Sequence, residues 1–243
     1  MNQEMIPVTP VAVQVPSVAP FTMKEAVLGG YALAKKYFIE MVALMAIVLA
    51  LGTGGALTTD PFANGVAMLV NILAVYAYAV LALRAVRGQE IVWRDLIDLS
   101  PRAFGSLIIA SLLSTLAISL GLGFLILPGL MAAAAFAFYT FVLVDHKLGP
   151  VEALKTSWKL ATPALWTIVG MYVVFAVVAF LPLVFSVVLG LLLQLLTFDF
   201  TIGLIVGAVL GIPSVLWMLL MVFGAAFVGP FVHAWMYVRL GGK

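Results

Sequence analysis

Six apolar stretches, at roughly residues 38–57, 62–83, 103–126, 129–144, 165–196 and 202–237, run through the chain, and the turns between them alternate in charge. Lys24, Lys35 and Lys36 precede the first stretch. Arg84, Arg87, Arg94 and Arg102 separate the second from the third, Lys147, Lys155 and Lys159 separate the fourth from the fifth, and Arg239 and Lys243 follow the sixth. The turns near 55–61, 121–128 and 197–202 hold neither Lys nor Arg. About 20 apolar residues are what an α-helix needs to cross a bilayer core ~30 Å thick. Backbone groups there must be satisfied within the segment, which selects the helix. Short loops rich in Lys and Arg stay cytoplasmic. The pattern predicts an all-α integral membrane protein of six transmembrane helices with both termini cytoplasmic.

Composition narrows the function classes. With 65% hydrophobic and 9% charged residues and a mean hydropathy of +1.24, the chain cannot make an ordinary soluble domain. The absence of Cys removes disulfides, thiol nucleophiles and iron–sulfur ligation. A net charge of +2, spread over turns, speaks of orientation and predicts no nucleic-acid partner. Residues 1–21, with Pro7, Pro10, Pro16 and Pro20, lack a basic segment before an apolar run. They read as a Pro-rich cytoplasmic tail rather than a signal peptide. Residues 22–243 read as a single six-helix membrane domain.

A repeat underlies the alternation. Glu25-Ala26 is followed by Tyr31 before span 1, and Glu152-Ala153 by Trp158 before span 5. Before span 3, Glu90, Arg94 and Asp98 recur every four residues opposite Val92, Leu96 and Leu99. In the segment from Val151, an apolar stripe of Val151, Leu154, Trp158 and Ala161 opposes Glu152, Lys155 and Lys159. These spacings predict cytoplasmic amphipathic helices lying in the interface. The chain therefore reads as three tandem hairpins, units of about 22–88, 89–149 and 150–243, each entered through such a helix. Lys35, Lys36, Arg94, Lys155, Trp158 and Lys159 are the residues expected to meet anionic headgroups or a partner.

The stretch Leu125–Ala161 contains Leu-Ile-Leu-Pro128-Gly129, an aromatic span ending Val-Leu-Val-Asp145, and Glu152-Ala-Leu-Lys-Thr-Ser157-Trp158. It resembles a bacterial family of six-span membrane proteins related to the membrane domain attached to some glycerophosphoryl diester phosphodiesterases. The resemblance implies a bacterial inner-membrane location and six spans. The phosphodiesterase catalytic domain is a separate soluble barrel with no counterpart here, so the resemblance does not imply hydrolysis.

Candidate chemistry is sparse. Glu40 lies four residues beyond Lys36, as in a helical ion pair. Asp60 precedes Pro61 and Asp199 opens span 6, both as expected of helix caps. His146 and His233 are the only histidines, and their spacing demands no metal site. No catalytic residue, cofactor or metal is predicted. Uncharged polar and small residues are more informative. Ser111, Thr115 and Ser119 recur every four residues in span 3, and Gly203, Gly207 and Gly211 do so in span 6, a spacing that lets helices approach closely. Asn71 and Gln194 are candidates for a polar crevice between helices, with bonds of about 0.6–2 kcal/mol each. Pro182 and Pro213 interrupt spans 5 and 6 and free backbone carbonyls. The Pro128-Gly129 pair is expected to close the turn between spans 3 and 4.

These features predict a non-enzymatic inner-membrane protein, a scaffold or accessory subunit of a membrane complex or a modulator of the lipid surface. Expected partners are membrane lipids and either a second copy or a larger complex. The alternative is a small-solute transporter or channel using the polar face of span 3 and the kinked spans 5 and 6.

Overall fold

The computed structural model of the chain describes residues 21–56, 60–94, 100–197 and 200–241. Among them, all regular structure is helical: α1 (Met23–Lys36), α2 (Phe38–Ala56), α3 (Pro61–Val86), α4 (Pro101–Phe124), α5 (Ile126–Ala135), α6 (Tyr139–His146), α7 (Pro150–Ala161), α8 (Leu165–Thr197) and α9 (Phe200–Arg239). A single 3₁₀ turn, Thr162–Ala164, joins α7 to α8. Five segments are long and apolar enough to cross a membrane: Pro61–Val86, Pro101–Phe124, Ile126–His146, Pro150–Leu196 and Leu204–Arg239. A shorter apolar helix, Phe38–Ala50, falls in the first predicted span. Residues 1–20, and Leu96, Asp98 and Leu99 of the helix expected before span 3, lie outside the described residues, as does Asp199.

Helix starts follow local chemistry. The Thr22 hydroxyl accepts from Glu25 N, and the Glu25 carboxylate accepts from Thr22 N, a reciprocal capping box for α1. Asp60 caps α3 by accepting from Phe62 N at 3.1 Å, with Pro61 in the first turn, where its missing N–H costs nothing. Ser100 and Pro101 do the same for α4. The turn between α4 and α5 is tighter than expected. Leu125 alone is extended, and Pro128-Gly129 falls inside the first turn of α5 instead of closing the loop. A proline is tolerated there because first-turn N–H groups have no helical partner. Glycine is needed, since a Cβ on Gly121 would stand 2.8 Å from Gly129 Cα.

The helices pair as α2 with α3, α4 with α5 and α6, and α8 with α9. Among the described residues, the three pairs meet mainly near one end. Leu81, Leu83, Phe138, Val142, Phe231, Met236, Tyr237 and Leu240 are buried there, joined by Ala26 and Ala34 of α1 and Leu160 of α7. This end carries Lys35 and Lys36, Arg84 and Arg87, Lys147 and Arg239 at the closing ends of α1, α3, α6 and α9. Away from it the pairs expose long apolar faces, such as Leu216 and Leu220 of α9 and Val184 and Val188 of α8. Lipid tails are as apolar as leucine, so nothing drives those faces together in a bilayer. Packing is therefore strongest where the cations gather.

Candidate functional site

The cation-bearing end is assembled by two short helices seated against the hairpins. Helix α1 buries Ala26, Gly30 and Ala34, spaced by four, against α9. A Cβ on Gly30 would come within 2.7 Å of the Val232 backbone, so the two helices touch main chain to main chain. Helix α7 repeats the device with Ala153, Ser157 and Ala161, all fully buried against α4, α5 and α6. Its buried face is thus rotated from the stripe expected from sequence. Leu154, Ala161 and Leu160 turn inward, whereas Val151 and Trp158 are exposed. Small side chains admit the close approach, and the indole stays outside with its edge toward Phe136, centroids 5.9 Å apart.

Ser157 does more than fit. Span 4 is interrupted at residues 136–138, between α5 and α6, where the helical ladder lapses. The Ser157 hydroxyl donates to the Ala135 carbonyl at 2.8 Å and accepts from Phe138 N at 3.1 Å, satisfying both sides of the break. A buried backbone group left unpaired would cost about 1–3 kcal/mol.

Where α3, α6 and α9 converge, Arg87 and Asp145 form a bidentate ion pair, Nη1–Oδ1 2.7 Å and Nη2–Oδ2 2.6 Å. Tyr237 is fully buried beside it. Its hydroxyl makes no hydrogen bond of good geometry, yet lies within electrostatic reach of both partners. Phe138 and Phe141 pack against the Tyr237 ring at 6.1 and 5.6 Å between centroids. Sequence reasoning noted Asp145 and Arg87 separately and missed their pairing across 58 positions. The available signal was that each stands within four residues of the glycine closing its span, Gly88 or Gly149.

The remaining expected residues fall as follows. Lys35, Lys36, Arg94, Lys155 and Lys159 are exposed at the cation end, and Lys36 Nζ sits 5.1 Å from the Tyr37 ring centroid. Ser111 bonds the Tyr139 hydroxyl at 3.0 Å, but Thr115 and Ser119 face outward. The buried face of α4 is Leu107, Ala110 and Ser114, one position round from the hydroxyl stripe, because it must meet α5 and α7 closely. Asn71 donates to Ala67 O of its own helix at 2.8 Å, and Gln194 is half-buried on α8. Gly207 and Gly211 have open space where a Cβ would stand. Gly203 lies outside the residues whose side chains are described. The intramolecular packing expected of this glycine face is not made at 207 or 211.

The break at Pro182 is closed internally. Pro182 deprives the Val178 carbonyl of its donor, and Trp217 Nε1 donates to that carbonyl at 3.0 Å. Ser214 donates to the Leu210 carbonyl at 2.7 Å and lies 3.1 Å from the Pro182 carbonyl. His233 gives Nδ1–H to the Gly229 carbonyl at 2.8 Å, which leaves Nε2 to accept from the Tyr172 hydroxyl at 2.9 Å. Both ring nitrogens are thereby spent within the bundle. Among the described residues, no three of His, Asp and Glu come together as a metal site would need.

Comparison with known proteins gives a consistent but partial picture. No family model matches the chain, and no solved structure does. UPF0259 membrane proteins of Yersinia pestis (strain Pestoides F) and Yersinia pseudotuberculosis (serotype O:3, strain YPIII) are each 29% identical over 141 residues, 53% of this chain and 55% of theirs. The chain spans about half the length of the curated relatives it matches. Their names speak of a membrane protein and not of a phosphodiesterase, so that link stays as the sequence resemblance implied it. Over half its length, then, this all-α chain is similar to bacterial membrane proteins, and with five apolar segments of spanning length it is a multi-pass membrane protein.

Proposed function

We propose that the chain spans the bacterial inner membrane six times, with both termini and the cation-bearing end cytoplasmic. It serves as a non-enzymatic scaffold or accessory subunit that presents a rigid basic platform at the inner leaflet. One observation carries this reading. The fold concentrates its packing at the cation end, where α1 and α7 bury their small residues while Lys35, Lys36, Lys155, Trp158 and Lys159 are left outward. Such a surface suits anionic headgroups or the acidic face of a neighbouring subunit. The freed carbonyl at Val178 is already capped, and Thr115 and Ser119 do not face a shared path, so the described residues offer a transporter little polar lining.

The test is migration of the full chain after mild solubilisation, with phosphorus counted in the purified fraction. Wild type should co-migrate with a defined assembly or carry phospholipid in excess of any single tightly held molecule, and Lys155→Glu with Lys159→Glu should lose the assembly or that excess. A bare monomer without bound phospholipid, unchanged by the double substitution, would contradict the reading.

A further inference from the structure

Three helices end at the cation-bearing end next to a left-handed residue: Gly88 at φ 66°, Lys147 at 48° and Gly241 at 101°. Glycine takes that conformation without strain, whereas an L side chain does not. Lys147 is the only non-glycine residue with positive φ among those described. It borders a cleft of about 290 Å³ between the ends of α3 and α6. Arg84 and Arg87, one turn apart on α3, complete a rim of three cations to which Gln89 adds an amide. A bond from Arg84 Nη1 to the Glu90 carbonyl, 3.0 Å, helps hold that side chain in place. Tyr76 and Val80, on the same face of α3, continue the cleft as a mostly apolar wall. Asp145, next to this rim, is engaged twice by Arg87. Cations near helix C-termini complement the backbone dipole, but that role needs neither a cleft nor a strained lysine.

We propose that this cleft binds the phosphate-bearing headgroup of an anionic lipid. Arg84 and Lys147 meet the phosphate, Arg87 is positioned by Asp145 beside them, and the first acyl carbons run along Tyr76 and Val80. A charged rim above an apolar wall at the end of a spanning helix matches an amphiphile that enters from the same leaflet. The proposal rests on the reading of the cation end as a cytoplasmic membrane surface and adds to it a defined site.

The test uses the full chain reconstituted with equal phosphatidylglycerol and phosphatidylcholine, and lipid retained after detergent exchange is measured by mass. Phosphatidylglycerol should be retained in preference. Lys147→Gln should lower its occupancy about fivefold, the factor expected for one cation near a membrane surface. Lys147→Gly should lower it equally while raising the unfolding temperature, because the backbone strain is relieved. Lys155→Gln with Lys159→Gln, a larger charge change elsewhere on the same end, should leave it unchanged. Equal retention of the two lipids, an equal loss in the Lys155/Lys159 variant, or full displacement by millimolar inorganic phosphate would overturn the proposal. Labelling of Lys155→Cys by an impermeant reagent from outside intact cells, with phosphatidylglycerol selectivity kept, would instead defeat the cytoplasmic orientation and spare the site.

Discussion

Replacing Arg87 by Gln should destabilise the protein more than replacing Asp145 by Asn, and the double substitution should cost less than the sum of the two. The pair is bidentate, and its side chains are 24% and 9% exposed, so removing Arg87 strands the more deeply buried charge. Breaking a buried pair from one side costs about 3–5 kcal/mol. Arg87→Gln should fall near the lower end of that range, about 3 kcal/mol. Asp145→Asn leaves a guanidinium that still reaches water, and should cost about 1–2 kcal/mol. With both charges gone neither is stranded, so the cycle should show a coupling of about 2 kcal/mol, within the span found for contacting residues. Unfolding by SDS titration in mixed micelles, followed by far-ultraviolet circular dichroism, reads all four proteins in one series. Strict additivity, or a milder effect of Arg87→Gln than of Asp145→Asn, would refute the claim that this pair joins α3 to α6.

Three further substitutions probe the joints of the bundle in the same assay. Ser157→Ala leaves Phe138 N and the Ala135 carbonyl unpaired and should cost about 2–4 kcal/mol, whereas an exposed control on the same helix such as Lys155→Ala should cost well under 1 kcal/mol. Gly30→Ala drives a Cβ into the Val232 backbone and should cost about 1–3 kcal/mol, while Gly207→Ala, where space is open, should be neutral or stabilising by up to ~1 kcal/mol. Similar costs at the two glycines would mean that the 207 face is covered by a second copy. Trp217→Phe should cost about 1 kcal/mol in the native background and almost nothing beside Pro182→Ala, which restores a backbone donor to Val178. An equal cost in both backgrounds would show that the indole does not serve that carbonyl.

Much of the architecture was legible because hydropathy and length act locally. The blocks at 62–83 and 165–196 map onto α3 and α8, and Asp60-Pro61 announced its cap, since each depends on neighbours in sequence. What escaped depends on what lies across a helix. The stripe Val151, Leu154, Trp158 and Ala161 is the more apolar face of α7, yet the helix buries Ala153, Ser157 and Ala161. In a bilayer small residues win over large ones at helix contacts, so hydrophobicity points the wrong way. Ser157 falls in neither the apolar stripe nor the charged face, and its role is visible only once the interruption of span 4 is known. The same holds for Trp217, whose partner carbonyl is 39 residues away, and for Arg87 with Asp145. The Pro128-Gly129 pair misled for a different reason, because a proline is as acceptable in a helix's first turn as in a loop.

The central claim is that the cation end faces the cytoplasm and the opposite turns face outward. The chain has no Cys, so single substitutions report without background. Asp60→Cys lies in a turn far from the cations, and Lys155→Cys is exposed on α7. On intact cells, in which the outer membrane alone has been made permeable, a membrane-impermeant maleimide should label Asp60→Cys and leave Lys155→Cys untouched until the inner membrane is opened. Labelling of Lys155→Cys before that point, or of both positions from the same side, would contradict the account.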